Sequence, residues 1–281
     1  MSTKPQPFES AHRRAWAWQS APLRPGPQDI GIVEDWVSMW LQRQGAATPS
    51  ARKALLLGVT AELTALCEYH QLPLTAVDLS QAMIDEAWLG DTPMRRVIVG
   101  DWLDLPLAAQ SVGLVLGDGV STLVAYPSGL ERLGQQVHSC LLPEGLLMLR
   151  CFARPAQAES VEQVMDAVRN GRIGNFNIFR FRLLMALHGD TPQIGVRTSE
   201  ACDVFDREFP DASAFFRMTG WPPASLSTLA AYKANPAQYF FPSPDEIADT
   251  LSPWFELQET RTGDYEFAAC CPSLRFVRRG T

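Results

Sequence analysis

The stretch Lys53-Ala54-Leu55-Leu56-Leu57-Gly58-Val59-Thr60 decides the fold class of this chain. It is an apolar run of strand length that breaks at a glycine and leads into a helical pattern, which predicts a buried strand followed by a helix. A second apolar run, Ala76-Val77-Asp78, ends in a carboxylate. The interval of about 20 residues between the glycine and this acid is typical of sheets that hold a ribose.

Two more apolar runs end in the same way. Gly100-Asp101-Trp102 closes a third run, and Gly117-Asp118-Gly119 closes a fourth. Helical stretches lie between the runs, and this alternation predicts a parallel sheet that helices cover on both faces. Because the carboxyl ends of parallel strands meet at one edge, where nucleotide-like ligands bind, we expect these glycines and acids to share a site.

The predicted elements extend on both sides of this region. Asp29 to Gln44 is predicted to be a helix, because its apolar residues recur at three-to-four spacing. Thr60 is expected to cap the first helix between strands and Ser80 the second, since a hydroxyl at that position accepts a backbone N–H. Strands are predicted near 53–58, 74–78, 95–99, 112–117 and 145–152, and helices near 61–70, 80–89 and 128–141.

The alternation of strand and helix stops after the fifth strand. From Ala158 the pattern predicts only helices, over 158–169, 176–187, 199–208 and 225–234, with no strand between them. A short helix near 244–251 and strands near 254–260 and 274–277 then resume the earlier pattern. We interpret the helical part as an insertion into the sheet. It is rich in aromatic residues, most of which are expected to form its own small core.

Composition and charge exclude several functions. The 281 residues carry a net charge of −7, which argues against nucleic acid as a partner, because phosphate binding requires a basic face. No apolar run approaches the roughly 18 residues of a membrane span, and the first residues lack the apolar core of a secretion signal. The six cysteines have no CxxC spacing, so we expect buried thiols and no metal site. A cytoplasmic location is expected.

The order of the four strand ends resembles that of the class I, Rossmann-like, S-adenosylmethionine-dependent methyltransferases. The resemblance implies a doubly wound, mostly parallel seven-stranded α/β sheet whose last two strands form an antiparallel edge. We expect a helical arm over residues 1–50 and a cofactor-binding core over 51–153 and 244–281. The insertion, 154–243, would be a mainly helical lid over a substrate site.

The resemblance also implies a role for each strand end, with S-adenosylmethionine as the cofactor. Asp78 would accept hydrogen bonds from both ribose hydroxyls, which a carboxylate does better than a neutral side chain. Asp101 would meet the adenine amino group, and the Trp102 backbone would donate to the ring. The further contacts that the resemblance implies are Leu79 and Met83 on the adenine, and Gly117 and Asp118 beneath the sulfonium.

The first strand departs from the family pattern. Gly58 is in place, where a side chain would block the approach of the ligand. The family usually has an acid two residues before this glycine and glycines two and four residues after it, but this chain has Leu56, Thr60 and Glu62. Either the cofactor site is degenerate, or Thr60 and Glu62 replace the missing groups at the cofactor's ammonium end. We prefer the second interpretation, because the other three strand ends are intact.

Residues outside the strand ends are weaker candidates for the site. Arg24, in the arm, either meets the cofactor carboxylate through a forked contact or pairs with an acid of the protein. Asp118, His188 and Tyr126 are the candidate catalytic bases, and His138 is a further candidate. The sequence does not choose between O-, N-, S- and C-methylation.

The sequence leaves three functions open. We favour a methyltransferase that acts on a small molecule under the lid. The sequence does not determine the oligomeric state, and a homodimer is one alternative. A catalytically inactive relative that serves as a scaffold is the second interpretation, which the altered first strand suggests. An NAD-dependent oxidoreductase is the third. It is disfavoured because Gly58 is not followed by the glycines that admit a pyrophosphate.

Overall fold

The computed structural model describes residues 21–44, 52–222, Ser225, Lys233 and 237–280. Most of the predicted helix 225–234 and all of the arm before residue 21 lie outside the described residues. None of the described helices has the length and apolar character that crossing a membrane requires.

A seven-stranded sheet forms the centre of the molecule. Its order is β3-β2-β1-β4-β5-β9-β8; β9 runs antiparallel to both of its neighbours, and the other six strands all point the same way. The predicted antiparallel edge is therefore confirmed. The strands of the described residues are β1 (Ala54–Leu57), β2 (Leu74–Asp78), β3 (Arg95–Val99), β4 (Val112–Asp118), β5 (Leu141–Arg150), β6 (Val196–Arg197), β7 (Gln238–Tyr239), β8 (Phe255–Arg261) and β9 (Ser273–Arg278).

Helices cover both faces of this sheet, as the doubly wound prediction requires. On one face, α1, α2 and α3 pack Trp36, Leu63 and Ile84 against it, and on the other α5 and α10 contribute Leu130 and Ile247. The described helices are α1 (Pro27–Gln44), α2 (Ala61–Tyr69), α3 (Gln81–Ala87), α4 (Val120–Leu123), α5 (Ser128–Cys140), α6 (Val161–Arg169), α7 (Phe176–His188), α8 (Thr198–Glu208), α9 (Ala212–Thr219) and α10 (Pro244–Leu251).

The strand β1 shows why the sheet is so apolar at its centre. All four of its residues are buried, because successive side chains point to opposite faces and both faces are covered. Leu55 and Leu57 belong to the core under α5, and Ala54 and Leu56 belong to the core under α1. A central strand of a doubly wound sheet therefore appears in the sequence as a continuous apolar run.

The two predicted helix caps have different outcomes. Ser80 caps α3, and its hydroxyl accepts from the backbone N–H of Met83 at 3.3 Å. The prediction for Thr60 was wrong: this residue precedes α2, but its side chain makes no capping hydrogen bond. Its carbonyl accepts from Thr64 instead, through the backbone N–H and the hydroxyl.

The residues between β5 and α10 build a hydrophobic core of their own. Helices α6 to α9 supply most of it, and the stacked rings of Phe152 and Phe181, 4.2 Å apart, join it to the end of β5. The prediction that this part contains no strand was wrong, because β6 and β7 form a short antiparallel pair. Helix α9 was also missed. The division of the chain into arm, core and lid remains a prediction.

The six cysteines are all free and buried, as expected from their apolar surroundings. Burial raises the pKa of Cys67, Cys140 and Cys151 to about 12 and that of Cys270 to about 11. The reactive thiolate is therefore scarce at neutral pH.

We expect a thiol-reactive chromogenic disulfide to leave the native protein almost unmodified at neutral pH and to titrate six thiols once the chain is unfolded. The rate of reaction with and without denaturant measures this difference. Rapid modification of a thiol in the native protein would contradict the buried environment described above.

Candidate functional site

The carboxyl ends of β2, β1 and β4 form one continuous edge. Leu57 at the end of β1 pairs with Val77 on one side and with Gly117 on the other. The backbone N–H of Gly58 continues the ladder by donating to the Val77 carbonyl at 2.8 Å. The register thus places Gly58 between Asp78 at the end of β2 and Asp118 at the end of β4.

Gly58 and Asp78 lie side by side at this edge, and the Trp102 ring adjoins them. Gly58 has a φ of +99°, a left-handed conformation that favours glycine. A β-carbon built on it would lie 3.7 Å from the Trp102 ring and 3.8 Å from Oδ2 of Asp78. Three residues from three separate strand ends therefore border one small space.

Asp78 is held in place but keeps one carboxylate oxygen on the side of Gly58. Its Oδ1 accepts from the backbone N–H of Ser80 at 2.8 Å, while Oδ2 is the Asp78 atom that faces Gly58. Burial raises the pKa of the Asp78 carboxyl, and the bond from Ser80 opposes this rise. A partly buried carboxylate in this position is suited to accept hydrogen bonds from a diol.

The Trp102 side chain has a place at this edge that sequence reasoning missed. Its indole N–H donates to the Val77 carbonyl at 2.6 Å, the same carbonyl that accepts from Gly58. The ring thereby lies across the ends of β1 and β2. Only the backbone of Trp102 was expected to take part, and no local signal in the sequence indicates where the indole lies.

The other predicted adenine contacts differ in how far their side chains are exposed. Leu79 is 69% exposed, an apolar side chain left uncovered beside Asp78. Asp101 is exposed as well, and its carboxylate caps the short turn that follows by accepting from the Leu103 N–H at 2.8 Å. Met83 is partly buried and packs against the core under α1.

Arg24 and Glu62 meet each other. Nε of Arg24 donates to the Glu62 carboxylate at 2.7 Å, and both side chains are about three-quarters buried, with 24% and 23% exposed. Arg24 was predicted to meet either the cofactor carboxylate or an acid of the protein, and in the structure it pairs with the acid Glu62. This ion pair ties the segment before α1 to the first turn of α2, directly after Gly58 and Thr60.

Asp118 also has an arginine partner. Its carboxylate accepts from Nε of Arg150, at the end of β5, at 2.7 Å, and both side chains are buried. Nη1 of the same guanidinium lies 3.8 Å from Oδ2 of Asp29, and Nη2 donates to the Pro22 carbonyl at 2.9 Å. Burial raises the pKa of the Asp118 carboxyl, and the neighbouring Arg150 charge counteracts this rise.

Asp29 is a buried residue of this edge that sequence reasoning missed. It lies in the first turn of α1 and accepts from the Gly26 N–H at 2.8 Å and from the Tyr265 hydroxyl at 3.0 Å. Asp29 and Arg150 line a water-sized cavity of about 10 Å³ together with Gly117 and Asp118. The sequence pattern of α1 placed Asp29 at a helix start but gave no sign that it reaches the sheet.

Gly117 has a packing role that was not expected. A β-carbon on it would lie 2.8 Å from the side chains of both Leu149 and Val120. The glycine is therefore required for the close approach of β5 and α4 at this point. Its role beneath the sulfonium stays a prediction.

The strand order decides the class of fold. A mostly parallel sheet of seven strands with an antiparallel last pair, covered on both faces, is the architecture that the resemblance predicted. The chain has the class I methyltransferase fold. No family model and no curated protein matches the sequence.

Solved structures resemble this class I fold at low sequence identity. One is a protein from Rhodobacter sphaeroides provisionally named a Zn-dependent alcohol dehydrogenase: it shares 15% identity, 97% of this chain and 99% of that chain are covered, and the TM-score is 0.56. Another is the N-methyltransferase NodS from Bradyrhizobium japonicum WM9 with S-adenosyl-L-homocysteine, at 11% identity, coverage of 98% and 100%, and a TM-score of 0.49. A third is an S-adenosylmethionine-dependent methyltransferase from Mesorhizobium loti. It shares 14% identity, 89% of this chain and 100% of that chain are covered, and the TM-score is 0.48. At these identities the likeness concerns the fold alone.

The remaining candidate bases lie in other surroundings. His188, at the end of α7, is buried; its Nε2 accepts from the Phe241 N–H at 3.4 Å. The Tyr126 hydroxyl accepts from Thr250 at 3.5 Å. Within the described part of the chain neither residue hydrogen-bonds to Asp118, and His138 contacts the Arg279 carbonyl. The three candidate bases are therefore not assembled into one catalytic group.

A cavity of about 150 Å³ lies between the insertion and residues 266–270, beside α7. Arg182 borders it and is held by Glu159, to which its Nε donates at 2.8 Å. Ring contacts lead from this cavity to the strand edge, because Phe267 in its wall neighbours Phe181, which stacks on Phe152. Arg180 is buried over the Phe181 ring. No group of three or more potential metal ligands occurs among the described residues.

We expect Gly58→Ala to lower the free energy of unfolding by about 1–2 kcal/mol, the usual cost of a left-handed conformation for an alanine. The new methyl group would make ordinary contacts, so the cost should come from the backbone. Gly171→Ala, at a φ of +63° in open space, is the matched control and should show a similar loss in urea unfolding. An unchanged stability of Gly58→Ala would contradict this backbone conformation.

We also expect the protein to lose stability below about pH 6.5, where an ordinary histidine takes up a proton. Burial lowers the pKa of His188, and the Arg154 charge adds to this effect, although a bond to the Gly189 carbonyl opposes it. The unfolded chain therefore binds a proton that the folded chain resists, which favours unfolding as the pH falls. Urea unfolding at several pH values should give a flatter profile for His188→Gln. An equal slope in both proteins would assign the effect to another group.

Proposed function

We propose that this protein is an S-adenosylmethionine-dependent methyltransferase that acts on a small molecule. The observation that carries the proposal is the convergence of Gly58, Asp78 and Trp102 at the carboxyl ends of β1, β2 and β3. Each supplies what one part of an adenosine requires: a close backbone approach, a diol acceptor and an aromatic surface. The fold provides the edge on which such ligands bind.

The exposed side chains around Asp78 suit the rest of the nucleoside. Leu79 offers an apolar surface to one face of the adenine, in agreement with its exposure. Asp101 lies beyond the end of β3 and keeps its second carboxylate oxygen for the amino group of the base. A ribose on Asp78 would then direct its 5′ substituent past Gly58 toward Asp118, because β1 lies between β2 and β4.

The charges at this edge favour a cationic ligand. Five carboxylates and two guanidiniums border the strand ends: Asp29, Glu62, Asp78, Asp101 and Asp118 against Arg24 and Arg150. A nicotinamide dinucleotide would bring a pyrophosphate into this acidic region, and the loop after Gly58 lacks the glycines that cradle phosphates. S-Adenosylmethionine has a sulfonium, an ammonium and one carboxylate, so its net charge is positive. The electrostatics therefore support it over NAD.

When bound, this cofactor supplies a methyl group that is activated by the positive charge on sulfur. The protein's contribution to such a displacement is alignment, exclusion of water and, for an acceptor that must lose a proton, a base. Asp118 lies at the strand end nearest to the expected sulfur, but one of its oxygens is committed to Arg150. We assign it an electrostatic role. The small acceptor, under the proposed lid of residues 154–243, would bring its reactive atom to this strand end.

We expect Asp78→Asn to weaken the binding of S-adenosylmethionine and of S-adenosylhomocysteine by about tenfold to a hundredfold, because hydrogen bonds to a charged acceptor contribute roughly 1.5–3 kcal/mol. Isothermal titration calorimetry measures both affinities. The raised pKa of Asp78 predicts in addition that binding to the native protein weakens as the pH falls, beginning above the pH at which an ordinary aspartate is protonated.

Asp104→Asn is the matched control, since it removes the same charge from an exposed position one turn after Asp101. It should bind both ligands like the native protein. If Asp78→Asn binds as well as the native chain, the ribose is misplaced. Tight binding of NADH with no binding of either adenosyl ligand would favour the oxidoreductase. Binding of the cofactor without transfer of a labelled methyl group to any component of a cell extract would favour the inactive relative.

A further inference from the structure

Five charged side chains form a compact group between Gly58 and the end of β5, and we refer to them as the charge cluster: Arg24, Asp29, Glu62, Asp118 and Arg150. Two ion pairs account for four of them, Arg24 with Glu62 at 2.7 Å and Arg150 with Asp118 at 2.7 Å. The fifth, Asp29, lies 3.8 Å from Arg150 and is only 1% exposed.

The two ion pairs are electrostatically coupled to one another. Beyond the effect of its own burial, the pKa of Asp118 is raised by the charges of Glu62 and Asp29. Glu62 is in the first turn of α2 and Asp29 in the first turn of α1, so the two acids come from the starts of two different helices. The cavity that Asp29, Asp118 and Arg150 line is also bordered by Pro25 and Leu63, the chain neighbours of Arg24 and Glu62, so the three carboxylates surround the same small region.

The charge cluster has a net charge of −1, because three carboxylates face two guanidiniums. The start of α1 offsets part of this charge, since a helix N-terminus attracts anions, and the Gly26 and Tyr265 donors stabilise Asp29 further. The remainder is a negative field inside a largely desolvated region, where charges act more strongly than in water. Such a field distinguishes ligands by charge.

The position of the charge cluster relative to Asp78 identifies the part of the ligand that it faces. Asp78 ends β2, Asp118 ends β4, and Gly58 lies between them. A nucleoside whose ribose is held by Asp78 therefore directs its sulfur toward the charge cluster. This step rests on the proposed function, because it takes the ligand to be an adenosyl sulfur compound.

We propose that the charge cluster distinguishes the cationic sulfonium of S-adenosylmethionine from the neutral thioether of S-adenosylhomocysteine, with Asp29 and Glu62 as specificity-determining residues. The two ligands differ in one methyl group and one positive charge at sulfur. Transfer of the methyl group to the acceptor removes that charge, so the attraction ends with the reaction. The negative field thus favours binding of the donor and release of the product.

The test is the ratio of two dissociation constants, measured by calorimetry for each protein. Asp29→Asn changes the net charge of the cluster from −1 to zero while it keeps an oxygen for the Tyr265 hydroxyl. We expect this substitution to weaken the binding of S-adenosylmethionine about tenfold and the binding of S-adenosylhomocysteine by less than about twofold. The difference is what the loss of one unit charge at a partly desolvated site implies. Glu62→Gln, at a less buried position, should change the ratio in the same direction.

Asp35→Asn is the matched control. It removes one negative charge from the same helix, but Asp35 is 68% exposed and pairs with Arg261. Its ratio should equal that of the native chain. If Asp29→Asn and Glu62→Gln weaken both ligands equally, or neither, the charge cluster does not discriminate by charge and the inference is wrong. If the native protein binds neither ligand, the proposed function fails instead.

If Asp29→Asn does not fold, which circular dichroism would reveal, Glu62→Gln decides the question alone. Glu62→Gln also changes the net charge of the charge cluster from −1 to zero, so the ratio should change in the same direction. An unchanged ratio in Glu62→Gln would overturn the inference without reference to Asp29.

Discussion

The buried ion pair between Arg150 and Asp118 is the interaction on which the arrangement of the strand edge depends. It joins the ends of β5 and β4, and the same guanidinium reaches Asp29 and the Pro22 carbonyl before α1. Removing one partner of such a pair leaves a buried charge without compensation, at a cost of about 3–5 kcal/mol. Helix α1, which packs Trp36 onto the sheet, is thereby fixed in position relative to the site.

The altered first strand acquires a physical explanation from this arrangement. An acid at the position of Leu56 would lie inside the core under α1, in a strand that is buried throughout. The carboxylates instead come from Glu62 after the strand and Asp29 before it, on helices that pack against the same edge. The negative charge is present near the end of β1, but separate elements supply it.

The local pattern of the sequence was sufficient for most of the fold and for part of the site. Apolar runs that end in glycine or aspartate located four of the five parallel strands, and their common edge brought Gly58 to Asp78. What the pattern could not reveal depends on contacts between distant residues: the indole of Trp102 on the Val77 carbonyl, Asp29 on Arg150, and the packing that requires Gly117 to be small. The β6–β7 pair was not predicted, because strands of two residues are too short to show the alternation of apolar and polar residues that marks a strand.

The position of β9 in the sheet has a consequence for how the chain folds during synthesis. β9 lies between β5 and β8, and Leu146 pairs with Val277. The ribosome must therefore produce the whole helical insertion before β5 gains its outer neighbour. Until then β5 exposes an unpaired apolar edge, which is prone to association with other chains. Assembly of the insertion's aromatic core around Phe152, directly beyond β5, would shield the far end of that edge while the nascent chain waits for its last strand.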